Sequence, residues 1–232
     1  MIELLRRGLA ELHLDPARSE PLAEFARLLL EKNEVMNLTA ITEPTAVAQL
    51  HLLDCAALTQ FADLSGKRVV DVGTGAGFPG VPLRILEPDF DLTLLDSLGK
   101  RVEFLRQACD RLGLQRVEAV HARAEEFAAD HRERYDLAVS RAVAALNVLS
   151  ELTLPLVKVG GQFLAMKSVD SDAEIDAARG AIGQLGGRIR QIRDYTVPGT
   201  DVRHRAVIID KVRPTPANLP RPFARIKKHP LS

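Results

Sequence analysis

The chain has 232 residues, 31 Lys and Arg against 31 Asp and Glu, 46% hydrophobic residues and two cysteines. That length suits one domain with a sizeable core plus appendages, and no run approaches the roughly 18–20 apolar residues of a membrane span. Cys55 and Cys109 lie far apart without a Cys-x-x-Cys pair, so neither a disulfide framework nor a bound metal is expected.

The opening segment MIELLRRGLAELHLD is amphipathic rather than signal-like, so a cytoplasmic protein with no membrane contact is expected. Residues 1–63 are expected to form a helical N-terminal extension, with helices over 21–33 and 44–61. Leu22, Phe25, Leu28 and Leu29 make one apolar stripe there, suited to capping a core. From Arg68 onward, short β-branched runs alternate with longer amphipathic segments, the rhythm of an α/β fold with a mostly parallel sheet over 64–212. Seven strands are expected, over 68–72, 92–95, 116–121, 135–139, 162–166, 189–195 and 203–210. The last two follow each other without a helix and should pair antiparallel, since a parallel crossover needs about a dozen residues. Between the second and third strands, Val102, Leu105, Cys109 and Leu112 share a helix face that Gly113 can terminate in the left-handed conformation. Residues 213–232 read as a basic C-terminal tail; from Arg203 to the end there are eight Lys and Arg against the single acid Asp210. Such an end is either solvated surface or a contact for a polyanion such as RNA.

The strongest chemical signal is VVDVGTGAGFPG, Val69 to Gly80, where a hydrophobic strand ends in an acid and runs into closely spaced glycines. Gly73, Gly75 and Gly77 allow a sharp turn and close approach to a ligand, while the next helix presents its N-terminal amides. Asp96, ending the second strand, stands where a carboxylate reaches the hydroxyls of a bound ribose. Gly75 to Gly80 also fits the dinucleotide pattern G-x-G-x-x-G, but it starts several residues past the strand, and counting from Gly73 puts Phe78 in place of the third glycine. Asp71 would repel a pyrophosphate. It would attract S-adenosylmethionine, which carries an ammonium and a sulfonium and no phosphate.

The segments VVDVGTGAGFPGVPL, LTLLDSLGKRVEFLRQ, RAEEF, VSRAVA and MKS, in this order, resemble the bacterial 16S ribosomal RNA guanine-N7 methyltransferases, the glucose-inhibited division protein B family. The resemblance runs from about Asn37 through His204. It implies a Rossmann-like class I S-adenosylmethionine-dependent methyltransferase fold, a seven-stranded mostly parallel sheet with an antiparallel last strand. It also implies methylation of a guanine in the decoding-region loop of 16S ribosomal RNA, a modification whose loss is associated with streptomycin resistance. The partner would be that RNA or the small ribosomal subunit, met by a monomer. Carried over by position, the implied cofactor contacts are Gly73, Phe78, Asp96, Ala124, Glu125 and Arg141, joined on the residue argument by Gly75 and Asp71. Arg123, Lys167 and Arg203 are the implied RNA contacts. His51 and Asp54, three apart on a helix, could pass for an acid–base pair, but capping or packing is the expected role. The resemblance implies that they hold the N-terminal helices over the cofactor pocket. The stretch Ala224-Arg225-Ile226-Lys227-Lys228 departs from the family's Gly-x-Pro-x-Lys tail, which leaves a tail-specific RNA contact without support.

Chemistry narrows the acceptor atom. Methylating a pyrimidine carbon calls for a cysteine nucleophile, and neither cysteine sits at a strand end. Ser140-Arg141-Ala142 stands where amine methylation resembles use of an Asn or Asp followed by Pro-Pro. Guanine N7 has a free lone pair and no proton to lose, so alignment and desolvation suffice and no catalytic base is named. Because the product base is cationic, Arg141, Lys167 and Arg203 are expected to hold phosphates and sugar rather than the N7 face. Two other readings remain open at this point, a nicotinamide-dependent oxidoreductase and a non-catalytic RNA-binding module on the same fold.

Overall fold

The computed structural model describes residues 1–232. Helices α1 (Ile2–Glu11) and α2 (Ser19–Met36) bury Leu5, Leu9, Leu22, Phe25 and Leu29 completely, as their helical spacing requires. α2 outruns the expected 21–33 at both ends and stops at Asn37, which takes the left-handed conformation at φ 49°. The helical run expected over 44–61 is present but irregular. Helix α3 (Pro44–Val47) opens into a π-helical stretch, Ala48–Leu53, followed by α4 (Asp54–Ala56) and a 3₁₀ turn, Ala57–Gln60. Apolar spacing carries no sign of that wide turn, which is of a kind frequent at functional sites and here carries Leu50 and His51.

All seven expected strands form. β1 (Arg68–Val72) leads through helix α5 (Gly80–Leu86) to β2 (Asp91–Asp96), then α6 (Gly99–Arg111), β3 (Val117–His121), α7 (Ala124–His131) and β4 (Tyr135–Arg141). The chain continues with α8 (Leu146–Thr153), β5 (Val157–Ser168), α9 (Asp172–Gln184), β6 (Gly187–Thr196) and β7 (Arg203–Lys211). Their order in the sheet is β3-β2-β1-β4-β5-β7-β6. The first five strands pair in parallel, and β7 runs antiparallel to both β5 and β6. β7 is thus inserted inside and β6 takes the edge. α6 ends as expected, with Gly113 at φ +63°.

Period-two alternation separates two cores. Val69, Leu92, Leu94, Val139 and Ile208 face α5, α6 and the N-terminal helices. Val70, Val72, Leu95, Ala138 and Val207 face the side of α7, α8 and α9. Residues 213–232 cross that second side. Leu219 and Ile226, the latter in helix α10 (Phe223–Lys228), are buried there, while Arg225, Lys227 and Lys228 stay exposed. The architecture is Rossmann-like α/β, and strand order reverses between β1 and β4, where ligands of such sheets bind. No helix is long and apolar enough to cross a membrane.

Candidate active site

The turn after β1 is tied together by Asp71. Its Oδ2 accepts from the Thr74 hydroxyl at 2.7 Å and from the Gly80 amide at 2.8 Å. Its Oδ1 is buried without a partner, and burial pushes the carboxyl up to about 7. Between these anchors Gly73, Gly75 and Gly77 all take positive φ, at 70°, 60° and 101°. At Gly73 a Cβ would stand 2.6 Å from Val143 Cγ2, so only glycine lets the β1 turn and the loop after β4 approach this closely.

Asp96 ends β2 with a nearly buried carboxylate whose oxygens accept from the amides of Gly75 and Leu98, each at 2.9 Å. Arg101 lies 3.6 Å away. A carboxylate offers about four acceptor positions, so two remain for a ribose. A cavity of about 270 Å³ opens beside it, lined by Gly73, Asp96, Ala122, Ala124, Glu125 and Phe223 among others. The buried, unpartnered oxygen on Asp71, the space kept free at Gly73 and the carboxylate at Asp96 fit a nucleoside that is cationic and carries no phosphate.

A second cavity, of about 340 Å³, lies across the loop that follows β4, with Leu50, His51, Asp54, Arg141, Met166, Ser168 and His204 in its wall. Ala142 faces this cavity and Val143 the first, so a single residue step divides them. Arg141 donates to Leu50 O at 3.2 Å and to His51 Nδ1 at 3.0 Å, and stacks 4.6 Å over the Phe78 ring. His51 meets Thr39 Oγ1 at 2.8 Å through Nε2 and packs on Phe78, centroids 4.6 Å apart. Burial, then Arg141, pulls its imidazole down to about 4. Asp54 accepts from Tyr195 Oη and His204 Nδ1, each at 2.8 Å, with Arg141 at 3.5 Å. The Asp54 hydrogen bond raises the His204 imidazole, and burial raises the Tyr195 hydroxyl.

Gly73, Asp96, Ala124 and Glu125 line the first cavity, and Arg141 and Lys167 the second. Asp71, Gly75 and Phe78 stand behind the walls: the first two fasten the turn, and Phe78 supports Arg141 and His51. The three residues expected on RNA do not converge. Arg123 is held by Glu125 at 2.5 Å and stacks on Phe223, Lys167 donates to Ala144 O at 2.7 Å and pairs with Glu174 at 2.6 Å, and exposed Arg203 sits by Asp194 at 3.5 Å. Opposite charges already in the fold take up the first two cations, which spacing along the chain does not reveal. The sequence reading missed His204, Val143 and Phe223. Strand alternation turns His204 to the face opposite Arg203, a signal within reach; nothing local marks the other two.

A larger cavity of about 600 Å³, bounded by Glu11, Phe61, Arg190 and Tyr195, lies away from the β1–β4 reversal and is lined by none of the residues expected at the cofactor or on RNA. Cys55 and Cys109 are buried, and burial raises both thiols, that of Cys109 to about 12, so neither supplies a thiolate near neutrality.

Residues 18–198 match the family model described as rRNA small subunit methyltransferase G. The Ribosomal RNA small subunit methyltransferase G of Alkaliphilus metalliredigens is 46% identical over 233 residues, covering 98% of either chain. That of Clostridium perfringens is 45% identical over 210 residues, covering 89% of this chain and 88% of its own. Among solved structures, M. jannaschii TYW2 in complex with AdoMet is similar over 68% of this chain and 75% of its own, with a TM-score of 0.56 and 12% identity, a likeness of fold.

Proposed function

Because the chain belongs to the rRNA small subunit methyltransferase G family, we propose that it transfers the methyl group of S-adenosylmethionine to N7 of a guanine in the decoding-region loop of 16S ribosomal RNA. The observation that carries this reading is the pair of cavities on either side of the loop after β4, one suited to a nucleoside and one open to a base. Family membership leaves the oxidoreductase and the non-catalytic module without support. The enzyme works in the cytoplasm, on the RNA or the small subunit.

S-adenosylmethionine supplies an electrophilic methyl group on a sulfonium. Asp96 would accept from the ribose hydroxyls and the Ala124–Glu125 backbone would border the adenine, while the buried Asp71 carboxyl behind the glycine turn would favour a cationic ligand in its ionised form. In the second cavity Arg141, locked by Leu50 O, His51 and Asp54, forms a rigid wall. Its charge is offset by the Asp54 carboxylate, so a guanine gaining positive charge meets no isolated cation. Alignment of the N7 lone pair with the methyl carbon would be the main task of the two cavities, worth up to about 7–11 kcal/mol, and N7 has no proton for a base to remove.

The test is transfer of a radiolabelled methyl from S-adenosylmethionine to small subunits from cells lacking this protein, with the labelled nucleotide mapped. Label at a guanine N7 of the decoding-region loop is expected. Label elsewhere, or none despite measured cofactor binding, would overturn the assignment of substrate.

A further inference from the structure

We propose that Phe223, in the C-terminal segment outside the matched 18–198, is a cofactor-contacting residue whose ring forms one wall of the adenine site. The inference rests on the S-adenosylmethionine reading of the first cavity. Asp96 locates the ribose, so the base must occupy the part of the cavity bordered by Ala122, Ala124, Leu152 and Phe223. A purine has two flat apolar faces, and an aromatic ring is the side chain that covers such a face best.

The ring is held in place rather than left on a loose tail. Arg123, fixed by Glu125, stacks its guanidinium 4.1 Å over the Phe223 ring centroid. Two residues before Phe223, Arg221 makes a two-pronged pair with the fully buried carboxylate of Glu151, Nε to Oε1 at 2.8 Å and Nη2 to Oε2 at 2.6 Å. The Arg221 amide donates to the same Oε1 at 2.9 Å. Arg132 reaches the carbonyls of Leu219 at 2.7 Å and Pro216 at 2.8 Å, and Ile226 is buried one helical turn beyond the ring. These anchors fix the segment on both sides of Phe223, which itself stays only half-buried, at the edge of the cavity. The Arg123 expected on RNA, itself in the lining of this cavity, thereby acquires a different part, as the support that holds the adenine wall.

The chain contains no tryptophan, so Phe223→Trp places a single reporter at the proposed contact. Binding of S-adenosylhomocysteine is measured by calorimetry for the wild type, Phe223→Leu and Phe223→Trp, with melting of each unliganded protein as the control for folding. Phe223→Leu keeps the apolar anchor and loses the flat ring. It is expected to melt within about 2 °C of wild type yet bind about tenfold more weakly, in line with an aromatic stack. Phe223→Trp is expected to bind within threefold of wild type, its fluorescence quenched in step with the calorimetric titration. A Phe223→Leu affinity within twofold of wild type overturns the inference and leaves the cofactor reading standing. Absence of binding by the wild type overturns the cofactor reading, and the inference with it.

Discussion

Arg141 Nη2 meets Nδ1 of His51 at 3.0 Å, and burial together with that neighbouring charge keeps the imidazole neutral. The other ring nitrogen, Nε2, is hydrogen-bonded to Thr39 Oγ1 at 2.8 Å, linking the segment before α3 to the strand end that carries the site. The pair His51 and Asp54, which on a bare helix looks like acid–base machinery, is instead the two-sided clamp on Arg141.

Protonation of His51 should therefore loosen the N-terminal helices from the sheet. Its folded-state pKa, about 4, lies below the usual 6.5, so the neutral ring contributes stability that is present above pH 6.5 and lost as pH falls through 4. At 1.36 kcal/mol per pKa unit the loss is roughly 3 kcal/mol. His51→Gln keeps an acceptor for Arg141 and does not titrate. Denaturant unfolding of the two proteins from pH 7 to 4 should show the wild type losing about that much against the variant; a constant difference would remove the ring from the clamp.

Asp71 titrates in the opposite sense. Its folded-state value, about 7, is raised above 3.8, so its contribution to stability is present below pH 3.8 and lost as pH rises through 7. A cationic ligand favours the ionised form. Affinity for S-adenosylmethionine should rise by up to about tenfold between pH 6 and 8 by linkage, while Asp71→Asn should bind more weakly with no such trend. Calorimetry at both pH values checks this, and an equal pH trend in the variant would assign the effect to another group.

Two glycines with similar backbone should respond differently to the same change. Gly73 at φ +70° and Gly113 at φ +63° each lose about 1–2 kcal/mol of stability as alanine, the cost of a Cβ in the left-handed region. Only at Gly73 does the new carbon meet a neighbour, Val143 Cγ2 at 2.6 Å, and push it toward the cavity; Gly113 has nothing within 4 Å. Gly73→Ala is expected to weaken S-adenosylhomocysteine at least tenfold and Gly113→Ala to leave it unchanged, as read by calorimetry. Equal affinities would place the nucleoside elsewhere.

Arg221→Met leaves the Glu151 carboxylate, fully buried, without its counter-charge. A loss of about 3–5 kcal/mol is expected, on the order of 10 °C in melting temperature. Adding Glu151→Gln should recover part of it, because the double variant buries no bare charge. If the single variant melts as the wild type does, the C-terminal segment is not anchored through this pair.

Strand number, the β1 turn and the antiparallel last strand were legible because they rest on local facts: period-two burial, glycines at left-handed positions, and too few residues between β6 and β7 for a crossover. Asp96 was legible for the same reason, since the end of a parallel strand faces the crevice wherever the sheet goes. The π-helical stretch at His51 was not, because helical registers differ by one hydrogen bond and the apolar pattern barely distinguishes them.

The sequence by itself determined the strands, the turn and which carboxylates lie at their ends, all consequences of backbone stereochemistry and alternating burial. Only the tertiary structure decided what the charged residues do. Arg123, Arg141 and Lys167 look alike as free cations in a sequence; Arg141 and Lys167 pair with Asp54 and Glu174, and Arg123, held by its neighbour Glu125, stacks on Phe223 far along the chain. A desolvated charge takes whatever counter-charge or aromatic face the packed chain brings within a few ångströms, and that neighbourhood exists only once the sheet has closed.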